Sequence, residues 1–221
     1  MGMGIRELMA KRAAEEIEFG NIVNVGYGIG QKVINYVPKD KLVFFHSESG
    51  VLGMGPAAEK GHEDPDIIDS GIVPITLMPG ASFSDSPDAF GLIRSGKIDV
   101  TVLGTLEVSE KGDLANWSIP GVFVPGMGGA MELAQNVKKV VVVTTHVTKK
   151  GEPKLRRECR FPLTVKECVS VVITDFCVIY IENGRFVLKE LFEGHTVEEV
   201  ISTTDAEIIV DKNIKIIKSE Q

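Results

Sequence analysis

The runs "IDVTVLG" (98–104) and "KKVVVVTTH" (138–146) decide how this chain folds. Both are near-continuous stretches of β-branched residues, without the polar alternation of a strand wetted on one face. Such runs fit strands buried on both faces, as in parallel sheets covered by helices. "SPDAFGLIRSG" (86–96) and "GGAMELAQNV" (128–137) read as helices beside them. Toward the N-terminus, "KLVFF" (41–45) and "NIVNV" (21–25) read as further strands. "IRELMAKRAAEEIEF" (5–19) carries Ile5, Leu8, Met9 and Ile17 at helical spacing and stops at Gly20. "GYGIG" leads into a short helical segment reaching Tyr36. The chain to about residue 150 is expected to be an α/β layer with a central, mostly parallel sheet.

The remainder has a different texture. "VSVVITD" (169–175), "CVIYIENGRFVLKEL" (177–191) and "AEIIV" (206–210) read as strands, with one short helix near "TVEEVIS" (196–202). Asn183-Gly184 between two alternating runs is a strong hairpin signal. The expectation is a single domain over residues 1–221, with an α/β part (1–150) and a β-rich, antiparallel C-terminal part (151–221). "THVTKKGEPKLRRECRFPLT" (145–164) reads as a long excursion, not a linker.

A chain of 221 residues is long enough to bury one sizeable core, and 43% hydrophobic with 25% charged residues is ordinary for a globular protein. The net charge of −7 argues against a nucleic-acid partner, which wants a basic face. No apolar run reaches membrane-spanning length, so no membrane association is expected. The N-terminal stretch is amphipathic and carries acids, unlike a secretory or transit signal, and a cytoplasmic location is expected. Cys159, Cys168 and Cys177 lie nine residues apart, a spacing no metal site uses, and read as reduced thiols. His46, His62, His146 and His195 form no ligand pattern, so no metal is assigned.

Three glycine-rich loops follow strands: "VGYGIG" (25–30), "SGVLGMGP" (49–56) and "PGMGGAM" (125–131). Open α/β sheets place ligands at the ends of parallel strands, and glycines there allow close backbone approach and offer N–H donors. Among them stands Glu48, just past the "KLVFF" strand. Several readings fit it. Gly26, Gly28 and Gly30 could open a dinucleotide-binding helix, with Glu48 as ribose-binding acid 22 residues beyond Gly26. That would make the chain a nucleotide-binding regulator, but the fingerprint needs glycine where Gln31 stands. Glu48 could be the general base of an isomerase or hydrolase. It could be a nucleophile, since a carboxylate attacks an activated acyl carbon when held dry beside an oxyanion hole. A solvated loop acid is the plain alternative.

The stretches "NIVNVGYGIG", "SESGVLGMGP", "EDPDIIDSG", "LMPGASFSDSPDAFGLIRSGKIDV", "KGDLANWSIPG" and "PGMGGAMEL" occur in an order that resembles the beta (B) subunit of the family I CoA-transferases, the 3-oxoacid and acetate/butyrate–acetoacetate type. The resemblance covers nearly the whole chain. It implies that Glu48, in Ser47-Glu48-Ser49-Gly50, is the catalytic nucleophile of a ping-pong reaction through a glutamyl-CoA thioester. It implies CoA contacts at Asn24, Gly26 and Gly28, and an oxyanion or CoA-sulfur role for Gly128 and Gly129. Coenzyme A would be a substrate, short-chain (oxo)carboxylates the acyl partners, and no cofactor tightly bound. An alpha subunit is the implied partner, in an alpha–beta pair doubled to a heterotetramer. The chain departs from the family pattern at Gln31 (usually proline), Ser49 (asparagine), Ile72 (often lysine) and Thr145 (often glutamate). A second "ENG", Glu182-Asn183-Gly184, reads as a hairpin turn. The cluster Lys149, Lys150, Lys154, Arg156, Arg157 and Arg160 reads as a solvated loop face rather than a phosphate site.

Overall fold

The computed structural model describes residues 3–218. In chain order the elements are α1 (Ile5–Ala14), β1 (Ile22–Val25), α2 (Ile29–Lys32), β2 (Phe44–Ser47), β3 (Val51–Ala57), β4 (Ile75–Phe83), α3 (Ser86–Arg94), β5 (Val100–Leu103), β6 (Glu107–Ser109), β7 (Leu114–Ala115), α4 (Ala130–Asn136), β8 (Lys139–Val143), β9 (Leu155–Arg156), β10 (Val169–Ile173), β11 (Cys177–Glu182), β12 (Arg185–Phe192), α5 (Val197–Ser202) and β13 (Ile208–Ile217). One ten-stranded sheet runs β13-β12-β11-β10-β8-β5-β1-β2-β3-β4. Its centre, β10-β8-β5-β1-β2, is parallel throughout. Antiparallel strands flank it on both sides: β3 and β4 at one, β11 and β12 at the other. The outermost β13 returns parallel to β12.

The β-branched runs lie where their composition demands. Val141 and Val143 of β8 join the cluster beneath α1, with Met9, Ala13 and Ile17. Val140 and Val142 point the other way, into the cluster with Ile93 of α3 and Leu133 of α4. A strand between two apolar layers needs apolar side chains at every position, because successive residues face opposite sides. Each buried valine contributes roughly 1.5–3 kcal/mol of transfer free energy. The helix boundaries follow local chemistry. The Asp85 side chain caps α3 by accepting from the Asp88 amide at 3.0 Å, with Pro87 in the first turn. Thr196 caps α5 through the Glu199 amide at 3.2 Å.

Some expectations change. The glycine-rich stretch after Glu48 is not a loop but β3, paired antiparallel with β2 and β4. β4 carries Pro79 and Gly80 yet forms a strand, and it sits at the sheet edge, where a missing N–H is harmless. The excursion 145–164 contributes β9 to a small sheet, β7-β6-β9. Most of its basic cluster stays exposed, but Arg156 (6% exposed) is buried and pairs with Glu107 at 2.6 Å and Asp205 at 2.8 Å, while the exposed Arg160 also reaches Glu107 at 2.8 Å. Glu107, 1% exposed, needs those cations to be buried at all.

α1 ends at Ala14, short of Gly20, and the following turn carries Glu16 into a buried ionic cluster. Arg12 donates to both oxygens of Glu190, at 2.7 and 3.0 Å, and to Glu16 at 2.7 Å. Glu16 also accepts from Tyr180 at 2.7 Å and pairs with Lys139 at 2.5 Å. Burial pushes the Glu16 carboxyl up, but the bonds from Lys139, Tyr180 and Arg12 outweigh it and hold the carboxyl below its ordinary 4.5. Its contribution is therefore fully present at neutral pH and is lost as pH falls below about 4.5 and through the lowered folded value. Arg12→Ala strands the buried Glu190 carboxylate and leaves Glu16 only Lys139 and Tyr180. The expected cost is about 3–5 kcal/mol, a fall of roughly 10 °C in Tm. A Tm at pH 7 lowered by less than about 2 °C would show the cluster to be dispensable.

Candidate functional site

β2 ends at Ser47, and the turn Ser47–Gly50 reverses the chain into β3. The Gly50 amide closes it on the Ser47 carbonyl at 3.0 Å. Gly50 has φ +107, and a Cβ there would collide with the Ser84 carbonyl, so no other residue fits. This geometry holds Glu48 half-buried at the carboxyl edge of the parallel strands, where sheets of this kind bind ligands.

Gly129 meets it from the opposite side. The Gly129 backbone lies close against the Glu48 carboxylate, and its N–H favours the ionised form. A Cβ on Gly129 would lie well inside van der Waals contact of Oε2 and 2.9 Å from Oε1. Gly129 has ordinary helical angles (φ −75), so what it supplies is absence of bulk. Burial raises the Glu48 carboxyl above its ordinary value, with the Gly129 N–H pulling the other way. Gly128 next to it has φ +54, and a Cβ there would meet nothing within 4 Å.

The first glycine loop is arranged differently. The Gly26 amide donates to the Val102 carbonyl at 2.8 Å, and the Gly28 amide to Gln31 Oε1 at 3.2 Å. Both N–H groups are therefore engaged within the chain. α2 spans only four residues, too short for the helix a dinucleotide site requires. Asn24 is 2% exposed. Its amide nitrogen reaches His46 Nδ1 at 3.3 Å and the His46 carbonyl at 3.2 Å, and its oxygen accepts from Thr101 at 3.4 Å. The structure thus places Asn24 in the sheet, tying β2, β1 and β5 together, rather than on the surface. Burial pushes His46 down to about 4, with the Ala89 backbone acting weakly in the opposite sense, so the ring is neutral.

The second "ENG" is remote. Asn183 and Gly184 both take positive φ (+52 and +70) in the β11–β12 turn, and Glu182 pairs with Lys189. Strands β10, β8, β5 and β1 lie between β11 and β2, about 24 Å at the usual strand spacing. Thr145 donates to the Val147 carbonyl, and His146 is buried between Thr174 and Thr204, stacked on Phe176 at 4.9 Å. All three cysteines are free, and burial pushes each thiol up to about 12, which disqualifies them as nucleophiles. Among the described residues no group of three or more His, Cys, Asp or Glu is placed to hold a metal, and no helix is long and apolar enough to cross a membrane.

What the residue pattern did not signal is the backbone geometry of the loop before β4. Ile72 stands 78% exposed at φ +62, a conformation a β-branched residue avoids. Ile72→Asn should relieve that strain, since asparagine tolerates the left-handed region. The expected gain is about 1 kcal/mol, read as a rise of a few degrees in Tm; a lowered Tm would show that the isoleucine side chain stabilises the loop.

The coenzyme A transferase family model matches residues 6–203. The chain is 51% identical over 213 residues to the beta subunit of a probable coenzyme A transferase of Bacillus subtilis (strain 168), covering 96% of this chain and 98% of that one. It is 46% identical over 206 residues to the B subunit of the succinyl-CoA:3-ketoacid coenzyme A transferase of Helicobacter pylori, covering 93% and 99%. Among solved structures, an acyl-CoA transferase of Escherichia coli O157:H7 superposes with a TM-score of 0.76 at 18% identity, covering 98% of this chain and 44% of that longer one. A variant of the decarboxylase AibA/AibB gives 0.75 at 19%, covering 99% and 90%. A transferase and a decarboxylase share this architecture, so the fold alone does not select the chemistry. The family model and the full-length relatives do: the chain belongs to the coenzyme A transferase family.

Proposed function

We propose that this chain is the catalytic beta subunit of a CoA-transferase that moves CoA between an acyl-CoA and a short-chain (oxo)carboxylate, with Glu48 as nucleophile. Relatives named for succinyl-CoA:3-ketoacid and 3-oxoadipate transfer support the oxo-acid class. The observation that carries the role of Glu48 is its carboxylate, drawn out of water and packed close against the Gly129 backbone. Ionised Glu48 attacks the thioester carbonyl; the C–S bond breaks and CoA leaves as thiolate, giving a mixed anhydride. The thiolate then attacks Cδ of Glu48, releasing the donor's carboxylate and leaving a glutamyl-CoA thioester. The acceptor carboxylate runs these steps in reverse. During attack on Cδ the negative charge develops on an oxygen of Glu48 itself. The Gly129 N–H, next to that carboxyl group, is the donor that would hold the charge.

In this reading Gly26, Gly28 and Asn24 act through the framework: they fix the β1 end and its loop against β5 and β2. CoA enters as substrate, with no tightly bound cofactor. The partner is an alpha chain. Around the site edge Tyr27, Val122, Phe123 and Val124 are 54–80% exposed, a density of large apolar side chains that suits burial against a second subunit. The test uses the chain assembled with a candidate alpha subunit. Incubation with acyl-CoA alone should add one CoA to the peptide carrying Glu48, and borohydride should then inactivate the enzyme permanently. Equal inactivation with and without acyl-CoA would refute the covalent route.

A further inference from the structure

We propose that Asp69, acting with Gln31 and Ser47, is the positioning residue that sets where Glu48 stands. The inference rests on Glu48 being the nucleophile.

Residues 58–74 join β3 to β4, and Glu59 to Asp66 lie exposed. The end of the segment is held quite differently. Asp69 is 5% exposed, and among the described residues no lysine or arginine forms an ion pair with it. Its carboxylate is spent on the backbone: Oδ1 accepts from the Gly71 amide at 2.8 Å and the Val73 amide at 2.9 Å. Oδ2 accepts from Gln31 Nε2, whose amide oxygen in turn holds the Gly28 N–H of the first glycine loop. The Asp69 backbone closes the turn, taking the Ile72 amide at 3.1 Å and giving its own to Val73 at 3.0 Å. A buried carboxylate without a cation is costly, and a mere connection between edge strands has no need of one.

This loop grips the Glu48 turn directly. The Ser70 amide donates to Ser47 Oγ at 3.0 Å, Ser47 Oγ and Ser49 Oγ share a hydrogen bond of 2.8 Å, and Ser49 Oγ reaches the Ile68 carbonyl at 3.4 Å. Both neighbours of Glu48 are thus tied to the segment that Asp69 locks. Packing does only part of this work, through Ile67 against the core. A cavity of about 260 Å³ opens between Gly28, Gln31, Asp69 and Val73, so hydrogen bonds set the loop's position. The strained Ile72 is held within the same turn. Gln31 and Ser49, two of the chain's departures from the family pattern, are members of one hydrogen-bonded strap.

The experiment measures single-turnover formation of the Glu48–CoA thioester across pH, with the chain assembled with its alpha subunit. Asp69→Ala should slow it about tenfold, leave the donor KM within about twofold, and move the acid limb to lower pH, because a loosened turn wets Glu48. A loss of folded protein would scale the amplitude and leave the limb in place. Asp69→Asn keeps an oxygen for the loop amides and should recover the rate to within about threefold of wild type. Gln31→Ala, which leaves the Asp69 turn intact, should show the same limb shift with about a threefold slower rate, and decides the matter if Asp69→Ala does not fold. Wild-type rate and limb in folded Asp69→Ala, or failing that in Gln31→Ala, would overturn the proposal. A wild-type enzyme that forms no thioester on Glu48 overturns the nucleophile reading and this proposal together; a wild-type thioester with unchanged variants overturns this proposal alone.

Discussion

Glu48→Gln in the assembled enzyme is expected to lose CoA transfer by at least about 10⁴-fold while the fold survives. The substitution keeps shape and replaces the nucleophilic carboxylate with a neutral, non-nucleophilic amide. Glu48 lies in a turn and contributes little to either apolar cluster. Its raised carboxyl means the native state binds that proton more tightly than the unfolded chain, so ionising it at neutral pH costs stability. Removing the charge should therefore leave Tm unchanged or slightly higher at pH 7. The same shift places the acid limb of wild-type activity above 4.5, with activity falling as pH drops through the raised value. Glu182→Ala, on the far flank of the sheet, is the control and should keep nearly full activity. Retained transfer in Glu48→Gln, or its loss in Glu182→Ala, would move the nucleophile elsewhere.

Adjacent glycines should separate under mutation. Gly129→Ala places a methyl group against the Glu48 carboxylate, and the contact is with a functional group held on a tight turn. Either Glu48 or the start of α4 must shift, and the N–H to carboxylate geometry goes with it. A fall in kcat of about 10²–10³ is expected, with Tm changed by only a few degrees. Gly128→Ala has open space around the new methyl but must adopt φ +54. It should cost about 1–2 kcal/mol of stability and leave kcat within about threefold. Steady-state kinetics and melts on both variants test the distinction. Equal kinetic damage at the two positions would remove the special role of the Gly129 amide.

Much of this protein was legible as a string of residues. "IDVTVLG" and "KKVVVVTTH" declared buried parallel strands because a strand covered on both faces cannot alternate. Asn183-Gly184 declared its turn because only residues tolerant of positive φ form it. The motif around Glu48 pointed to the family. Local pattern records how a residue is covered, and it is reliable where coverage is set by neighbours in the chain. It was silent or misleading where coverage comes from afar. The glycines of β3 looked like a loop until β2 and β4 paired with them. Asn24 looked available for a ligand until His46 and Thr101 took its polar groups. Arg156 looked as solvated as the rest of the 145–164 cations until Glu107 drew it inward. Asp69 lay within a stretch that carries the family resemblance, but nothing in the string gave it a role, because its partners are backbone amides and one glutamine from another loop. Residue order was enough for the parallel core, for the family and for singling out the acid. Which of two neighbouring glycines touches that acid, and which residues hold it there, emerged only once the chain was folded. Such contacts join segments far apart in the chain, and no local periodicity encodes their approach.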